Sequence, residues 1–181
     1  MPARRNGPVS SNVRHRRIHI ATTTVWEMSM LYDYENTSIA LYRALFKENY
    51  LMDVACYLKP DIALANAAEM APILHPTFTS ASRAPDIVAN RATGMYDPDT
   101  GGTSVFDRPG ALSRSDGDFF IPEGTEIPPD LKVRKDKFND RLKATHFTIM
   151  PSKPMFKDAL LGQLDNFVRS AIRKQYEAAH K

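Results

Sequence analysis

The clearest pattern along the chain is a helical stripe near its C-terminal end. Asp158 near the start of this segment and Arg169 near its end have the charges that a helix dipole favours. The pattern predicts a long helix from about Lys157 with one face packed on the core. Its apolar residues recur at the three- and four-residue spacing of a buried helix face, and they are Leu160, Leu161, Leu164, Phe167, Val168 and Ile172.

Shorter segments predict strands. Residues 145–150 alternate so that His146, Thr148 and Met150 share one face. Residues 38–46 fit either a strand or a helix, and the β-branched and aromatic residues favour a strand. Further strands are expected over 103–106 and 131–134, and a turn at 116–118 is expected to lead to Phe119-Phe120-Ile121.

A second helix is predicted to open at Pro60, because proline suits a helix start, and to run through an alanine-rich segment to about Leu74. The pair His75-Pro76 then ends it, and His75 is expected to cap that end. Residues 75–103 are rich in turn-forming residues, which predicts a long irregular stretch.

The 181 residues fit one domain with tails. Residues 1–28 are interpreted as a basic, disorder-prone extension and residues 30–181 as the folded domain. Five of the 24 basic residues lie in residues 1–26, which contain no acidic residue, so the remainder has 19 basic against 21 acidic residues. An arginine-rich, acid-free start is typical of mitochondrial targeting peptides, and an untargeted extension is the alternative.

Several classes of protein are excluded by composition. No apolar run approaches the roughly 20 residues that span a bilayer, so no membrane association and a cytoplasmic site of action are expected. The single cysteine, Cys56, excludes an internal disulfide and a zinc site of several thiolates, and no metal is expected. The nearly neutral body gives no strong nucleic-acid signal.

The candidate site residues come from four clusters. Gly102 permits close approach of a ligand to the backbone, and the hydroxyls of Thr103 and Ser104 can bond ribose or phosphate oxygens. If these two lie on a strand, they point to opposite faces. The alternative for this cluster is a turn that leads into an edge strand.

Tyr42-Arg43 forms the second cluster, because an arginine within an apolar strand must meet a carboxylate or an anion. Arg83 is a further possible anion ligand. His146 is the third candidate, as a base or donor, and Gln163 the fourth. The alternative for Arg43 is a structural ion pair, and the alternative for His146 is a satisfied core histidine. The alternative for Gln163 is a solvated helix face.

The sequence resembles the ADP-ribosyltransferase toxins of type VI secretion, small bacterial effectors with fungal relatives. Matching segments keep their order and spacing from about residue 30 nearly to the C-terminus. The most specific is the run from Asp99 through Gly101-Gly102-Thr103-Ser104 to Arg108. The others are 32–35, 41–44, 74–78, 83–88, 127–133, 144–151 and 162–169.

This resemblance implies an α+β fold with small central sheets flanked by helices, and an NAD-consuming cytotoxic enzyme. Arg43 matches the arginine or histidine of the superfamily's first strand, and Thr103-Ser104 matches its Ser-Thr-rich strand. No glutamate in the matched segments occupies the usual third position, so His146 and Gln163 are the candidates to complete the pocket. NAD hydrolysis and transfer to a macromolecule both remain open.

The expected partners are NAD, a macromolecular acceptor and a cognate immunity protein that covers the active site. The alternative function is an inactive module of the same fold that binds a nucleotide or a partner. A hydrolase built on Ser104, His146 and an aspartate is a weaker third interpretation, since the Gly-x-Ser-x-Gly elbow is missing.

Overall fold

A computed structural model describes residues 36–46, 59–79 and 83–181. Its described part is an α+β fold, as predicted: one five-stranded sheet in the order β3-β1-β2-β5-β4, antiparallel throughout, with helices on one face. The interpretation of residues 1–28 lies outside the described residues. The elements are β1 Leu41–Leu45, α1 Pro60–Ala65, α2 Ala67–Met70, β2 Thr103–Phe106, β3 Gly117–Ile121, β4 Leu131–Asn139, β5 Ala144–Pro151 and α3 Lys157–Ala179.

The predicted C-terminal helix is confirmed as α3, which supplies much of the core. Most of its stripe residues are almost fully buried, and each such side chain contributes about 1.5–3 kcal/mol when it leaves water. The polar Gln175 is also buried, and its side-chain amide donates to the backbone oxygen of Phe120 on β3. The helix therefore fixes the sheet at that edge.

The prediction of a single helix from Pro60 to Leu74 is wrong. The segment breaks at Asn66, whose side-chain amide donates to the Ile62 oxygen at 2.8 Å and whose backbone leaves the helical region. Asparagine competes in this way for backbone groups that a helix needs. Beyond α2 the chain tightens into a 3₁₀ turn, Ala71–Leu74, which contains Pro72.

Strand β4 is longer than the predicted 131–134. It continues to Asn139 through a charged run of low strand propensity, because β5 pairs with it along most of its length. The register shifts between Lys135 and Phe138, which marks a bulge. The added residues bring Asp136 onto the sheet.

The irregular segment before β2 holds the start of that strand in place. Within its described part, Gly102 donates its N–H to the Asp86 oxygen at 2.8 Å, and Ile87 bridges to Gly101. Gly101 has φ +127, and a Cβ on it would overlap the Asp86 carbonyl. Glycine is therefore required for this crossing.

Candidate active site

Thr103 and Ser104 project to opposite faces of β2, as the sequence predicted for a strand. The Thr103 side chain is fully buried, and its hydroxyl donates to the Leu74 oxygen in the helical layer. The half-buried Ser104 side chain therefore lies on the other face, which the helices leave open. We call this the open face of the sheet.

The register between β2 and β5 places two further polar residues on the open face. Ser104 lies opposite Thr148, and Phe106 lies opposite His146. His146 is thus one diagonal step from Ser104, and its ring meets Phe106 edge-on with centroids 5.4 Å apart. Among the described residues, no hydrogen bond joins His146 to Ser104, so the pair does not form a nucleophile–base couple.

Asp136 on β4 ties this group together. One of its oxygens, Oδ2, lies 2.7 Å from His146 Nδ1 and accepts the Thr148 hydroxyl at 2.5 Å. The other, Oδ1, accepts Arg134 Nε at 2.8 Å. Asp136 is therefore the centre of a connected group of four side chains on the open face.

This group keeps Asp136 ionised. Burial raises the pKa of its carboxyl, but the hydrogen bonds from Thr148 and Arg134 and the nearby positive charge of Arg134 and His146 together hold the pKa below its ordinary value of 3.8. An ionised carboxylate can only accept, so Nδ1 of His146 carries the proton of their hydrogen bond. The unprotonated nitrogen of a neutral ring is then Nε2.

A second carboxylate extends the group along the same face. Asp99 accepts Arg134 Nη1 at 3.1 Å and lies 3.4 Å from Lys132 Nζ. Its φ is +69, in the left-handed region that aspartate tolerates better than most residues. Arg134 is consequently held between two carboxylates, and its position beside Asp136 is fixed.

Arg43 connects β1 to β2 from the other side of the sheet. Its Nη1 donates to the backbone oxygen of Ser104 at 2.9 Å. The pairing of β1 with β2 has one register pair, Tyr42 with Phe106, whereas β1 pairs with β3 through five. Arg43 therefore joins the strands where their ladder is sparse. Its Nε is buried and, among the described residues, has no hydrogen-bond partner.

Of the other predicted site residues, Tyr42 lies on the open face, since it pairs with Phe106, whereas Gly102, Arg83 and Gln163 lie apart from the open-face group. Tyr42 stacks on Phe120 with centroids 5.2 Å apart. The space beside Gly102 is filled by the protein itself, since a Cβ there would overlap the Ile149 oxygen. Arg83 donates to the Thr77 hydroxyl at 2.5 Å and lies 3.4 Å from Asp86.

Gln163 lies on α3, the helix that packs against the 3₁₀ turn on the side of Thr103. Its amide donates to Asp130 Oδ2 across 3.5 Å. Two residues later, Asp165 Oδ1 lies 2.6 Å from Nε2 of His75. The His75 ring thus bonds α3, while its backbone N–H caps the 3₁₀ turn.

Asp136 is the residue that sequence reasoning missed. The sequence contained one signal, the alternation Lys132, Arg134, Asp136, which on a strand puts three charges on one face. Ending the predicted strand at residue 134 concealed it. Proximity to His146 depends on strand pairing across the 140–143 turn, which a single sequence does not reveal.

A shallow groove of about 860 Å³ borders this group, and Arg134, Asp136 and His146 line it. The described residues include no cluster of His, Cys, Asp and Glu that could bind a metal ion. No helix in the described ranges has the length and apolar character to cross a bilayer.

Comparison with known proteins decides the family. Residues 57–176 match the family model of the Tse2 ADP-ribosyltransferase toxin. Toxin Tse2 of Pseudomonas aeruginosa is 65% identical over 156 residues, which cover 83% of this chain and 98% of that protein. The chain belongs to the Tse2 ADP-ribosyltransferase toxin family.

Membership in this family confirms the resemblance seen in the sequence. The protein is an enzyme, an ADP-ribosyltransferase toxin, rather than an inactive module on the same fold. The family's reaction implies NAD as the donor of ADP-ribose and a target that accepts it.

Proposed function

We propose that the open face around Ser104 and His146 binds the nicotinamide ribose of NAD and catalyses transfer of ADP-ribose. The observation that carries this proposal is the Asp136–His146 pair on the same face as Ser104, beside a groove open to solvent. A half-buried histidine oriented by an ionised carboxylate is suited to proton transfer. Asp136 supplies the acidic residue that no glutamate in the matched segments provided.

In this proposal the bond between C1′ of the ribose and the nicotinamide nitrogen breaks, and its electron pair leaves with nicotinamide. A nucleophilic oxygen or nitrogen of the acceptor bonds to C1′ and loses its proton to Nε2 of His146. Asp136 stabilises the resulting imidazolium through Nδ1. If water takes the acceptor's place, the same sequence of steps hydrolyses NAD.

The remaining predicted residues have supporting roles in this proposal. Ser104 bonds a ribose hydroxyl, while Thr103 anchors β2 to Leu74. Arg43 holds the Ser104 carbonyl from the helix-covered face and so positions Ser104, and its contact with the NAD pyrophosphate stays a prediction. Contact of Tyr42, Gly102, Arg83 or Gln163 with NAD stays a prediction.

The biological setting is also proposed. The protein acts in the cytosol of a target cell, and a cognate immunity protein protects the producer by covering the open face.

Residues 1–28 are an extension dispensable for the enzyme. Their deletion should leave NAD turnover unchanged, and a large loss would contradict this. A fusion of residues 1–28 to a fluorescent reporter tests mitochondrial targeting, and diffuse signal would exclude it.

The test of the site is release of nicotinamide from NAD by the purified full-length chain. His146→Ala should lower the rate at least about a hundredfold, the usual contribution of a positioned acid or base. His180→Ala is the matched control, because His180 is an exposed residue just after α3. Equal rates for wild type and His146→Ala, with both proteins folded, would overturn the proposed site.

A further inference from the structure

A second groove adjoins the first on the protein surface. It has a volume of about 790 Å³, and Asn139 and Arg141 line both grooves. Its floor is apolar and belongs to a small hydrophobic cluster that includes Ala111, Leu112 and Leu142. The two grooves together form one track that begins at His146. We call the second one the basic groove, because the charged side chains among its described lining residues are cationic.

Four cationic side chains line the basic groove, and none of the described residues that line it is acidic. All four are exposed: Arg108, Arg114, Arg141 and Lys143. Lys143 lies 3.8 Å from Asp140, and Arg108 donates to the Lys143 oxygen at 3.3 Å. The guanidinium groups of Arg114 and Arg141 have no carboxylate partner among residues 36–46, 59–79 and 83–181. Both are therefore available to an anion.

The track also presents an aromatic ring. Phe138 lines the first groove beside His146 and is 56% exposed. An exposed apolar ring in the same groove as the Arg141 guanidinium matches what single-stranded nucleic acids require, since bases stack on aromatic rings while cations contact the phosphates. Three of the four cations are arginines, whose planar forks can bond two phosphate oxygens.

We infer that the basic groove binds single-stranded nucleic acid and presents it to His146 as the acceptor of ADP-ribose. This inference rests on the proposed function, because it places the acceptor at the same histidine. The reaction joins C1′ of the ADP-ribosyl group to an oxygen or nitrogen of the strand, releases nicotinamide, and passes the acceptor's proton to His146.

A single strand fits the track better than the two main alternatives. A duplex presents phosphates on its outside but keeps its base faces stacked, so Phe138 and the apolar floor would gain no contact. An acidic protein segment would neutralise the rim, yet its carboxylate side chains offer nothing for the exposed ring to stack on.

The test measures binding of a fluorescent single strand of about 20 nucleotides to the full-length chain. Arg114→Gln/Arg141→Gln should weaken binding at least about tenfold and lower the slope of log K against log salt by about 1.4, or about 0.7 for each phosphate that is no longer neutralised. Arg91→Gln/Arg173→Gln is the matched control, since it removes the same charge from exposed positions outside the groove. It should bind like wild type.

Other probes separate the possible outcomes. Equal affinity of wild type for poly-glutamate would overturn the nucleic-acid inference in favour of an acidic protein, and tighter binding of a duplex would overturn the single strand. Weak binding by the Arg91/Arg173 control would show a non-specific charge effect and overturn the groove as the site. Arg114→Gln, which changes a residue of the basic groove alone, should hydrolyse NAD at the wild-type rate, so failure of the catalytic site appears in the His146→Ala assay instead.

Discussion

Asp136 on β4 and His146 on β5 share a hydrogen bond of 2.7 Å, which fixes a histidine ring on the face of the sheet that the helices leave open. Since Arg134 and Thr148 also donate hydrogen bonds to the Asp136 carboxylate, the position of this carboxylate, and with it the orientation of the His146 ring, is fixed by the protein. Substitutions of the residues around Asp136 and His146 can therefore be measured separately for their effect on thermal stability and on NAD turnover.

The pH dependence of stability tests the ionised state of Asp136. Because its pKa in the folded protein lies below the ordinary value of 3.8, its ionised form stabilises the fold fully above about pH 4, and this contribution is lost as pH falls through the folded pKa. Asp136→Asn should therefore lower Tm at about pH 7 by several degrees, for a loss of about 2 kcal/mol.

The difference in Tm between wild type and Asp136→Asn should then shrink as the pH falls below about 4. Asp140→Asn is the control, because the Asp140 side chain is 91% exposed and makes one long ion pair. A gap between wild type and Asp136→Asn that stays constant over this acid range would show that the carboxylate is not held ionised.

Adjacent hydroxyls on β2 should give opposite results when removed. Ser104→Ala deletes a donor on the open face, so NAD turnover should fall about tenfold, for a hydrogen bond worth roughly 1–1.5 kcal/mol, while Tm stays unchanged. Thr103→Val keeps the branched shape but leaves the Leu74 carbonyl without its donor, so the free energy of unfolding should fall by about 1–3 kcal/mol.

Nicotinamide release and thermal unfolding of the two purified variants check this prediction. Wild-type turnover in a folded Ser104→Ala would place the ribose elsewhere. Wild-type Tm in Thr103→Val would mean that the buried hydroxyl contributes nothing to holding β2.

Arg43→Lys distinguishes NAD binding from strand positioning. Lysine keeps the charge of arginine. It lacks the planar guanidinium group, in which Nη1 donates to the Ser104 oxygen while Nε remains a second donor. If Nε meets the pyrophosphate, KM for NAD should rise about tenfold or more. A fall in kcat at constant KM would instead assign Arg43 a positioning role alone. Arg173→Lys, at an exposed position on α3, is the control and should change neither parameter.

Alanine substitutions at two glycines should change stability in opposite directions. Gly101→Ala places a Cβ against the Asp86 carbonyl at a positive φ, so unfolding free energy should fall by about 2 kcal/mol or more, within the range of backbone strain. Gly162 lies within α3 with open space beside it, and Gly162→Ala should stabilise by about 0.5–1 kcal/mol. Denaturant unfolding measures both, and equal effects would disprove the close crossing at Gly101.

The elements with strong local patterns could be predicted from the sequence. Helix α3 has an unbroken stripe, and β5 alternates from His146 to Ile149, so both follow from side-chain periodicity. The break at Asn66 could not be predicted in this way, because it depends on whether one amide bonds its own backbone or solvent.

The candidate site was predictable only where its residues are local. Ser104 and His146 stand out within short segments, whereas Asp136 becomes meaningful only through the register of β4 with β5. Charge was misleading for a similar reason. The nearly neutral balance of the body averages over a surface on which Arg108, Arg114 and Arg141 gather along one groove.

The opposite orientations of Thr103 and Ser104 have a practical consequence. Deleting one oxygen atom from Ser104 should produce a weakened toxin of native shape, because the neighbouring hydroxyl that secures the strand is untouched. Cells should then tolerate more of this variant than of the fully active toxin. Immobilised on a resin, the variant should retain both the acceptor and the proposed immunity protein from a cell extract.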